Sequence, residues 1–527
     1  MSTDHFVTGT IGLPASLTPA LVERLVRRVS AGSAERTTTY APYTGAPLAE
    51  LPVSTAEDVE AAFTAARRAQ RAWRNTPVAQ RARIFLRFHD LVLERQDEIM
   101  DLIQAENGKA RQDAFLEIGD IALTARYYAR TARALLRPRR RRGVFPVLTH
   151  TTELRHPKGV VGVISPWNYP FTLGTGDTIP ALLAGNAVVQ KPDTQTALSA
   201  LWSAELLYEA GLPEGLWQIV LGRSQEVGPP LMAGADYMMF TGSTATGRRI
   251  AGDAGQRLIG ASLELGGKNA LIVLDDADPD KAAEGAVRAA FSNTGQLCTS
   301  VERLYVHDAV YDAFLTRFLA RVQAMPLGAA YDYSRAMGSL TSPAQLTSIS
   351  AHVEDAVAKG ATVLAGGRAR PDLGPYFYEP TVLTGVKPGM ACHGDETFGP
   401  VVAVYRYHDL DEAVEAANDT PYGLNASVWT GNGRRGRAVS ARLHAGTVNV
   451  NEGFAATWAS VDAPMGGMGD SGLGRRHGAE GLLKYTEAQT VAHARLLNLA
   501  PPKGMSFPRW AASQTFSLKA IKRAGMK

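Results

Sequence analysis

VVGVISPWNYP, Val160 to Pro170, is the stretch from which the fold is read. Val160, Val161, Val163 and Ile164 form an apolar, β-branched run with no polar residue among them. Such a run predicts a strand buried on both faces, as in a parallel sheet covered by helices. The chain then repeats the pattern. A helix-forming stretch leads to NAVVQKP (186–192), a second run of the same kind. Thr196 to Ala210 reads as a helix stopped by Gly211 and Pro213. LWQIVLG (216–222) and YMMFTGS (237–243) supply two more strands. Short apolar strands alternating with helices predict an α/β domain with right-handed crossovers.

A second series begins after LELGGK (263–268). KNALIVL, RLYVHD, ATVLAGG, VVAVYRY, NASVWTG and GTVNVN read as strands, and DPDKAAEGAVRAAF and DEAVEAAND as helices between them. Two α/β domains are therefore expected, with a boundary near Leu263 to Gly267. Upstream, Ser54 and Glu57 read as a capping box, followed by Val59, Phe63, Ala66 and Trp73 at helical spacing. The helical pattern runs to about Leu136. Pro138 and RPRRRRG (137–143) break it, and VFPVLTHTTELRH (144–156) reads as extended.

Composition sets outer bounds. The chain has 527 residues, 45% hydrophobic and 20% charged, which suits large cores. Two cysteines cannot build a disulfide framework and fit a reducing, cytoplasmic setting. The first residues show no signal peptide, and no apolar run approaches a membrane span of about 18 residues. The net charge of +4 comes from the last 27 residues, with Lys503, Arg509, Lys519, Lys522, Arg523 and Lys527 and no acid. This tail and the arginine block have the charge to bind polyanions, but charge runs are weak motifs. They read as a solvated tail and an exposed loop.

Open parallel sheets bind ligands at the carboxyl ends of their strands. Three such ends carry suitable chemistry: Trp167 and Asn168; Lys191, Asp193 and Thr194; and the loop Gly242 to Gly247. That loop has the glycine spacing of a P-loop. Arg248, however, stands where the lysine belongs, and Arg249 where a magnesium-binding hydroxyl belongs. What remains is a turn leading to a helix N-terminus, whose free N–H groups favour phosphate. An ordinary strand–helix turn is the alternative.

SNTGQLCTS (292–300) places one of the two cysteines, Cys298, among small polar residues. Packing cysteines usually sit among aliphatic ones. Taken with PWNYP (166–170), LELGGK (263–268) and ETFGP (396–400), this segment resembles the aldehyde dehydrogenase superfamily over residues 20–490. The resemblance implies a fold of two parallel-sheet α/β domains with a small β bridging element. Residues 20–137 and 157–264 would bind the cofactor and 265–465 would be catalytic. Residues 138–156 and 484–500 would bridge subunits of a homodimer or homotetramer, and 501–527 would be the basic tail.

It further implies Cys298 as the nucleophile, presented by a flexible turn. The Asn168 side chain and the Cys298 N–H would be the oxyanion donors. Glu264, between Leu263 and Leu265, would be the general base with a raised pKa. Trp167, Asn168, Lys191, Thr194, Gly242, Ser243, Gly247, Leu265, Glu396 and Phe398 would line the cofactor, with Glu396 on the nicotinamide-side ribose. A small buried cysteine and a boundary salt bridge are the structural alternatives for Cys298 and Glu264. Cys392, His393, Asp395 and Glu396 lie close in sequence but match no metal signature.

Many relatives that prefer NAD carry an acid at position 194. Thr194 beside Lys191 permits NADP, with NAD possible and Asp193 able to reverse the preference if it turns inward. The arginine block, PMGGMGDSGLGRRHG (464–478) and the tail resemble the actinobacterial NADP-dependent succinate-semialdehyde dehydrogenase branch. Better-understood succinate-semialdehyde dehydrogenases clamp the distal carboxylate with arginines where this chain has Gly176 and Ser292. Another cation would be needed. An aromatic or long-chain aldehyde is the alternative substrate, transfer of the acyl group to coenzyme A the alternative reaction, and a polyanion-binding scaffold the alternative of another class. No nucleic acid partner is expected.

Overall fold

The computed structural model describes residues 11–142, 149–494 and 500–525. Two compact units divide the chain. One runs to Leu135 and resumes over Pro157–Thr486; the other comprises Leu136–His156 and the chain from Glu487.

Both parallel sheets read from the sequence lie in the first unit. The first has six strands, in the spatial order Gly472–Leu473, Gly260–Glu264, Tyr237–Thr241, Val160–Ser165, Ala187–Pro192 and Trp217–Ile219. Val160–Ser165 is central. It pairs in parallel with Ala187–Pro192 on one side and Tyr237–Thr241 on the other. Val160, Val161 and Val163 are buried, as a strand covered on both faces requires. The second sheet has seven strands: Thr362–Ala365, Thr381–Thr384, Val401–Tyr407, Val301–His307, Asn269–Val273, Asn425–Trp429 and Thr447–Val450. Its core joins Leu271, Val273, Leu304, Val306 and Val404 to Phe291, Phe314 and Phe318 of the covering helices. Both sheets carry an antiparallel edge pairing, at Gly472–Leu473 and Thr362–Ala365. The chain crosses from one sheet to the other through Leu265–Lys268, so Glu264 ends the first sheet beside the start of the second.

Some expectations need correction. The capping box lies one residue further on: Thr55 accepts from the Asp58 N–H while Asp58 accepts from the Thr55 N–H. A hairpin of Arg36–Ala41 and Ala46–Pro52, with Gly45 left-handed between them, has no counterpart in the sequence reading.

In the second unit, the arginine block is no loop. Arg139–Arg141 pairs antiparallel with Thr149–Pro157, and Thr486–Ala494 completes a three-stranded sheet. Arg141 meets Glu153 at 2.5 Å, which ties down a charge run expected to be free. Residues 144–148 of the extended segment lie outside the described residues. The basic tail forms a helix over Phe507–Arg523 with no buried residue. Among the described residues no helix is long and apolar enough to cross a membrane.

Candidate active site

Numbered in chain order, the five parallel strands of the first sheet lie across it as fifth, fourth, first, second, third. The order reverses between Val160–Ser165 and Tyr237–Thr241, and a crevice opens where connections leave to opposite sides. The carboxyl ends of these two strands lead to Trp167 and Asn168 and to Gly242 and Ser243.

A buried ion pair fixes the Trp167–Asn168 turn. Lys109 Nζ donates to Glu117 Oε1 at 2.6 Å and to the Asn168 carbonyl at 2.8 Å, and both side chains are wholly buried. Glu117 Oε2 accepts the N–H groups of Phe171 and Thr172 at 2.9 Å each. Asn107 Nδ2 donates to the Trp167 carbonyl at 3.0 Å. Main-chain polar groups of the turn therefore have charged or amide partners, which lets this irregular backbone stay buried.

The cysteine turn is stitched to that one. Asn293 Nδ2 donates to the Asn168 carbonyl at 2.9 Å, and Asn168 Nδ2 donates to the Gln296 carbonyl at 3.1 Å. The second Nδ2 hydrogen of Asn168 has no partner among the described residues, and neither has the Cys298 N–H. The turn is not flexible, contrary to the expectation from its glycine. Asn293, Thr294 and Gly295 are consecutively left-handed, at φ 52°, 57° and 68°. A Cβ on Gly295 would lie 2.1 Å from the Gly399 carbonyl oxygen. Asn269 Nδ2 takes the Cys298 and Ser300 carbonyls at 2.8 and 2.7 Å, tying the turn to the second sheet.

Cys298 is a free, half-buried thiol packed with Trp458 against Tyr169, Leu173, Leu297 and Phe454. Burial, then the charges of Glu396 and Glu264, push it up to about 12. Cys392, the other cysteine, packs in an apolar cluster with Ile349, Val353 and Tyr378. Among the described residues no three His, Cys, Asp or Glu side chains gather as a metal would need.

Glu264 is buried, and its Oε1 has no hydrogen-bond partner among the described residues. Burial raises it to about 7 against the pull of Arg476 and Lys484. It is thus not a hydrogen-bonded boundary salt bridge. Arg476 Nε stands 3.0 Å from Asp177 Oδ2, and Lys484 Nζ stands 3.0 Å from Asp177 Oδ1. Burial opposes ionisation of Asp177, but Arg476 and Lys484 hold it down to about 2.

The residues expected to line a dinucleotide suit one. Lys191 is buried, and its Nζ has a single long hydrogen bond, 3.4 Å to the Pro192 carbonyl. Asp193 Oδ1 caps the next turn by accepting the Gln195 N–H at 3.0 Å, and burial raises its carboxyl against the pull of Lys191. Thr194 is half-buried. The helix Thr244–Gln256 starts after exposed Ser243 with no side-chain cap, which leaves its first N–H groups to a ligand. A Cβ on Gly247 would lie 2.5 Å from Leu265 Cδ2, so the glycine lets Leu265 pack against that first turn. Across the crevice, Glu396 Oε1 accepts the Gly267 N–H at 2.9 Å. Burial, then the charge of Glu302, raises Glu396 to about 8. Phe398 holds a left-handed φ of 53° and meets Trp167 edge-on, with centroids 5.5 Å apart. Glu302 fixes that segment by accepting the Thr397 and Phe398 N–H groups at 3.0 Å, with Lys268 as its buried counter-ion.

Sequence reasoning missed Lys109, Glu117, Asn293, Asp177, Arg476 and Lys484. Arg476 lies within GMGDSGLGRRHG, but the segment gives no sign of which groups it faces.

With this geometry in place, comparisons with known proteins identify relatives. The pattern of the aldehyde dehydrogenase family matches residues 29–491. Over 481 residues the chain is 57% identical to "Putative succinate-semialdehyde dehydrogenase (NADP+)" of Mycolicibacterium smegmatis, covering 91% of this chain and 93% of that one. It is 37% identical to phenylacetaldehyde dehydrogenase of Pseudomonas fluorescens over 484 residues, 88% and 94% of the two chains. The crystal structure of succinate-semialdehyde dehydrogenase from Burkholderia pseudomallei matches with a TM-score of 0.83 at 34% identity, covering 88% of this chain and 95% of that one.

Proposed function

Because the chain belongs to the aldehyde dehydrogenase family, we propose that it oxidises succinic semialdehyde to succinate with NADP, through a thioester on Cys298. The observation that carries this reading is the meeting in one crevice of a free thiol, two unused N–H donors and an unpartnered carboxylate.

The residues divide the work. Cys298 starts protonated, its thiol near 12. Sulfur attacks the aldehyde carbon, and an S–C bond forms as the thiol proton passes to solvent water. The carbonyl oxygen gains the negative charge and meets the Cys298 N–H and the free Nδ2 hydrogen of Asn168. The oxidised nicotinamide, when bound, would supply the hydride acceptor. Loss of hydride from carbon leaves the thioester. Glu264, near 7, takes a proton from water, which attacks the thioester carbon. The C–S bond breaks, the proton held by Glu264 returns to the departing Cys298 sulfur, and the acid is released. Trp167, Lys191, Thr194, Gly242, Ser243, Gly247, Leu265, Glu396 and Phe398 hold the dinucleotide. Lys191 and Thr194 favour a 2′-phosphate, and Asp193 is occupied as a cap. The name of the mycolicibacterial relative supports both the substrate and NADP. Presence of Glu264 favours water over coenzyme A as the acyl acceptor.

We assign cofactor binding to residues 20–137 and 157–264, catalysis to 265–465, and bridging in a cytoplasmic homodimer or homotetramer to 138–156 and 484–500. A second reading, an aromatic aldehyde, draws on Tyr169, Phe454 and Trp458 beside Cys298 and on the phenylacetaldehyde dehydrogenase relative. A panel of succinic semialdehyde, butanal and phenylacetaldehyde, run with NADP and NAD, tests the proposal. The highest kcat/KM is expected for succinic semialdehyde with NADP. A preference for phenylacetaldehyde establishes the second reading, and turnover by Cys298→Ser removes the thioester route.

A further inference from the structure

Gly176 ends the short helix Pro170–Thr175, and its φ of −59° and ψ of −36° are open to any residue. The glycine is needed for room instead. A Cβ there would lie 2.7 Å from the Thr172 carbonyl oxygen and 3.0 Å from Arg476 Nη2. Gly176 also lies three residues beyond Leu173, which packs in the cluster beside Cys298. Residues three apart share a helix face at about 5–6 Å. The guanidinium thus occupies a position one helical turn along from the wall of the thiol's pocket. The reach of a four-carbon semialdehyde from its carbonyl to its carboxylate is comparable.

Arg476 is built to stay charged and to keep donors in hand. Its side chain is 9% exposed, and its N–H and carbonyl are both bonded to Met465, at 2.6 and 2.9 Å. Asp177 meets it at Nε, and Asp177 is itself held by Lys484 and by the Tyr485 hydroxyl at 3.1 Å. Among the described residues neither Nη donates a hydrogen bond to protein. A buried guanidinium with a fixed counter-ion on one edge and unused donors on the other matches a planar carboxylate. Glu264 and Asp120 are the competing acids, and Glu264 makes no hydrogen bond to Arg476. Asp120 accepts from Trp458 Nε1 at 2.7 Å, which leaves its carboxylate tied to the pocket wall.

We propose that Arg476, seated against Gly176, takes the distal carboxylate of the substrate, supplying the cation that positions 176 and 292 do not. The inference rests on the reading of succinic semialdehyde as substrate.

The test is the ratio of kcat/KM for succinic semialdehyde to that for butanal, the chain of the same length without charge. Wild-type enzyme, Arg476→Met, Arg476→Lys and Gly176→Ala are compared. The ratio should fall roughly 30- to 100-fold in Arg476→Met, as for loss of a charged hydrogen bond, and less in Arg476→Lys. Gly176→Ala should lower it too, since its Cβ displaces the guanidinium. A wild-type preference for succinic semialdehyde that survives Arg476→Met overturns the inference and leaves the substrate reading standing. A wild-type ratio near one overturns both. If Arg476→Met does not fold, an unchanged ratio in Gly176→Ala overturns the inference alone.

Discussion

Removing the Lys484 charge should slow deacylation at neutral pH, although Lys484 is assigned no contact with the reacting atoms. Glu264 stands near 7 because burial raises it and Arg476 and Lys484 restrain it. The base form is the working form, so the deacylation rate should climb roughly tenfold between pH 6 and 8 and level off above. Lys484→Met takes away one restraint, so the rising limb moves to higher pH. If the midpoint moves up by about one unit, the ionised fraction at pH 7 falls from about one half to one tenth, a roughly fivefold loss. The assay is pre-steady-state NADPH formation. The burst reports acylation and hydride loss, and the following linear phase reports deacylation across pH 5.5–8.5. Glu264→Gln should keep the burst and lose the limb. A stability effect accompanies it. The carboxyl titrates near 7 when folded and near 4.5 when unfolded. The unfolded chain therefore binds fewer protons between these values, and stability falls as pH rises through them. Glu264→Gln should stabilise the protein by about 3 kcal/mol at pH 8 and by nothing below pH 4.5. A limb centred near 4.5, or one that Lys484→Met moves to lower pH, refutes the electrostatic account.

Lys109→Met should cost about 3–5 kcal/mol in urea unfolding, because Glu117 is left buried without its counter-ion; Lys109→Met with Glu117→Gln should recover more than half, and equal losses would deny the coupling. Gly295→Ala should cut turnover more than tenfold, since the left-handed φ and the 2.1 Å approach to the Gly399 carbonyl strain the cysteine turn against the segment that carries Glu396; near-normal turnover would mean that the turn has slack. Thr194→Glu should weaken NADP more than NAD, and equal effects would mean that position 194 does not face the 2′-phosphate.

The parts of the fold legible in the sequence are those set by burial on both faces. Val160–Ser165, Ala187–Pro192 and Asn269–Val273 read as strands because no polar residue interrupts their apolar cores until the last positions. The hairpin at residues 36–52 was not legible because RTTTYA and APLAELP carry exposed polar positions that break the apolar run. The cysteine, the carboxylates and Asn168 were legible as motifs, but their supports were not. Lys109, Glu117, Asp177 and Lys484 look like surface charges along the chain. Lys109, Glu117 and Asp177 are buried and Lys484 half-buried, each against a partner, and the partner of Asp177 at Lys484 lies 307 residues away. No periodicity reports a pairing over that distance.

Those buried charges explain how one crevice holds so many acids. Cys298, Glu264 and Glu396 are all raised, each first by burial, and both carboxylates raise the thiol further. Ionising either carboxylate therefore opposes ionising the thiol, which keeps its proton at rest. Asp177 is the exception at about 2, and it is the acid in contact with both Arg476 and Lys484. The cluster thus spends its cations on fixing Asp177 and leaves Glu264 only their longer-range pull. A Glu264 hydrogen-bonded to Arg476 would sit far below 7 and hold its charge too firmly to take a proton from water. Glu264 stays a base at neutral pH because Asp177, not Glu264, is the acid in contact with Arg476 and Lys484.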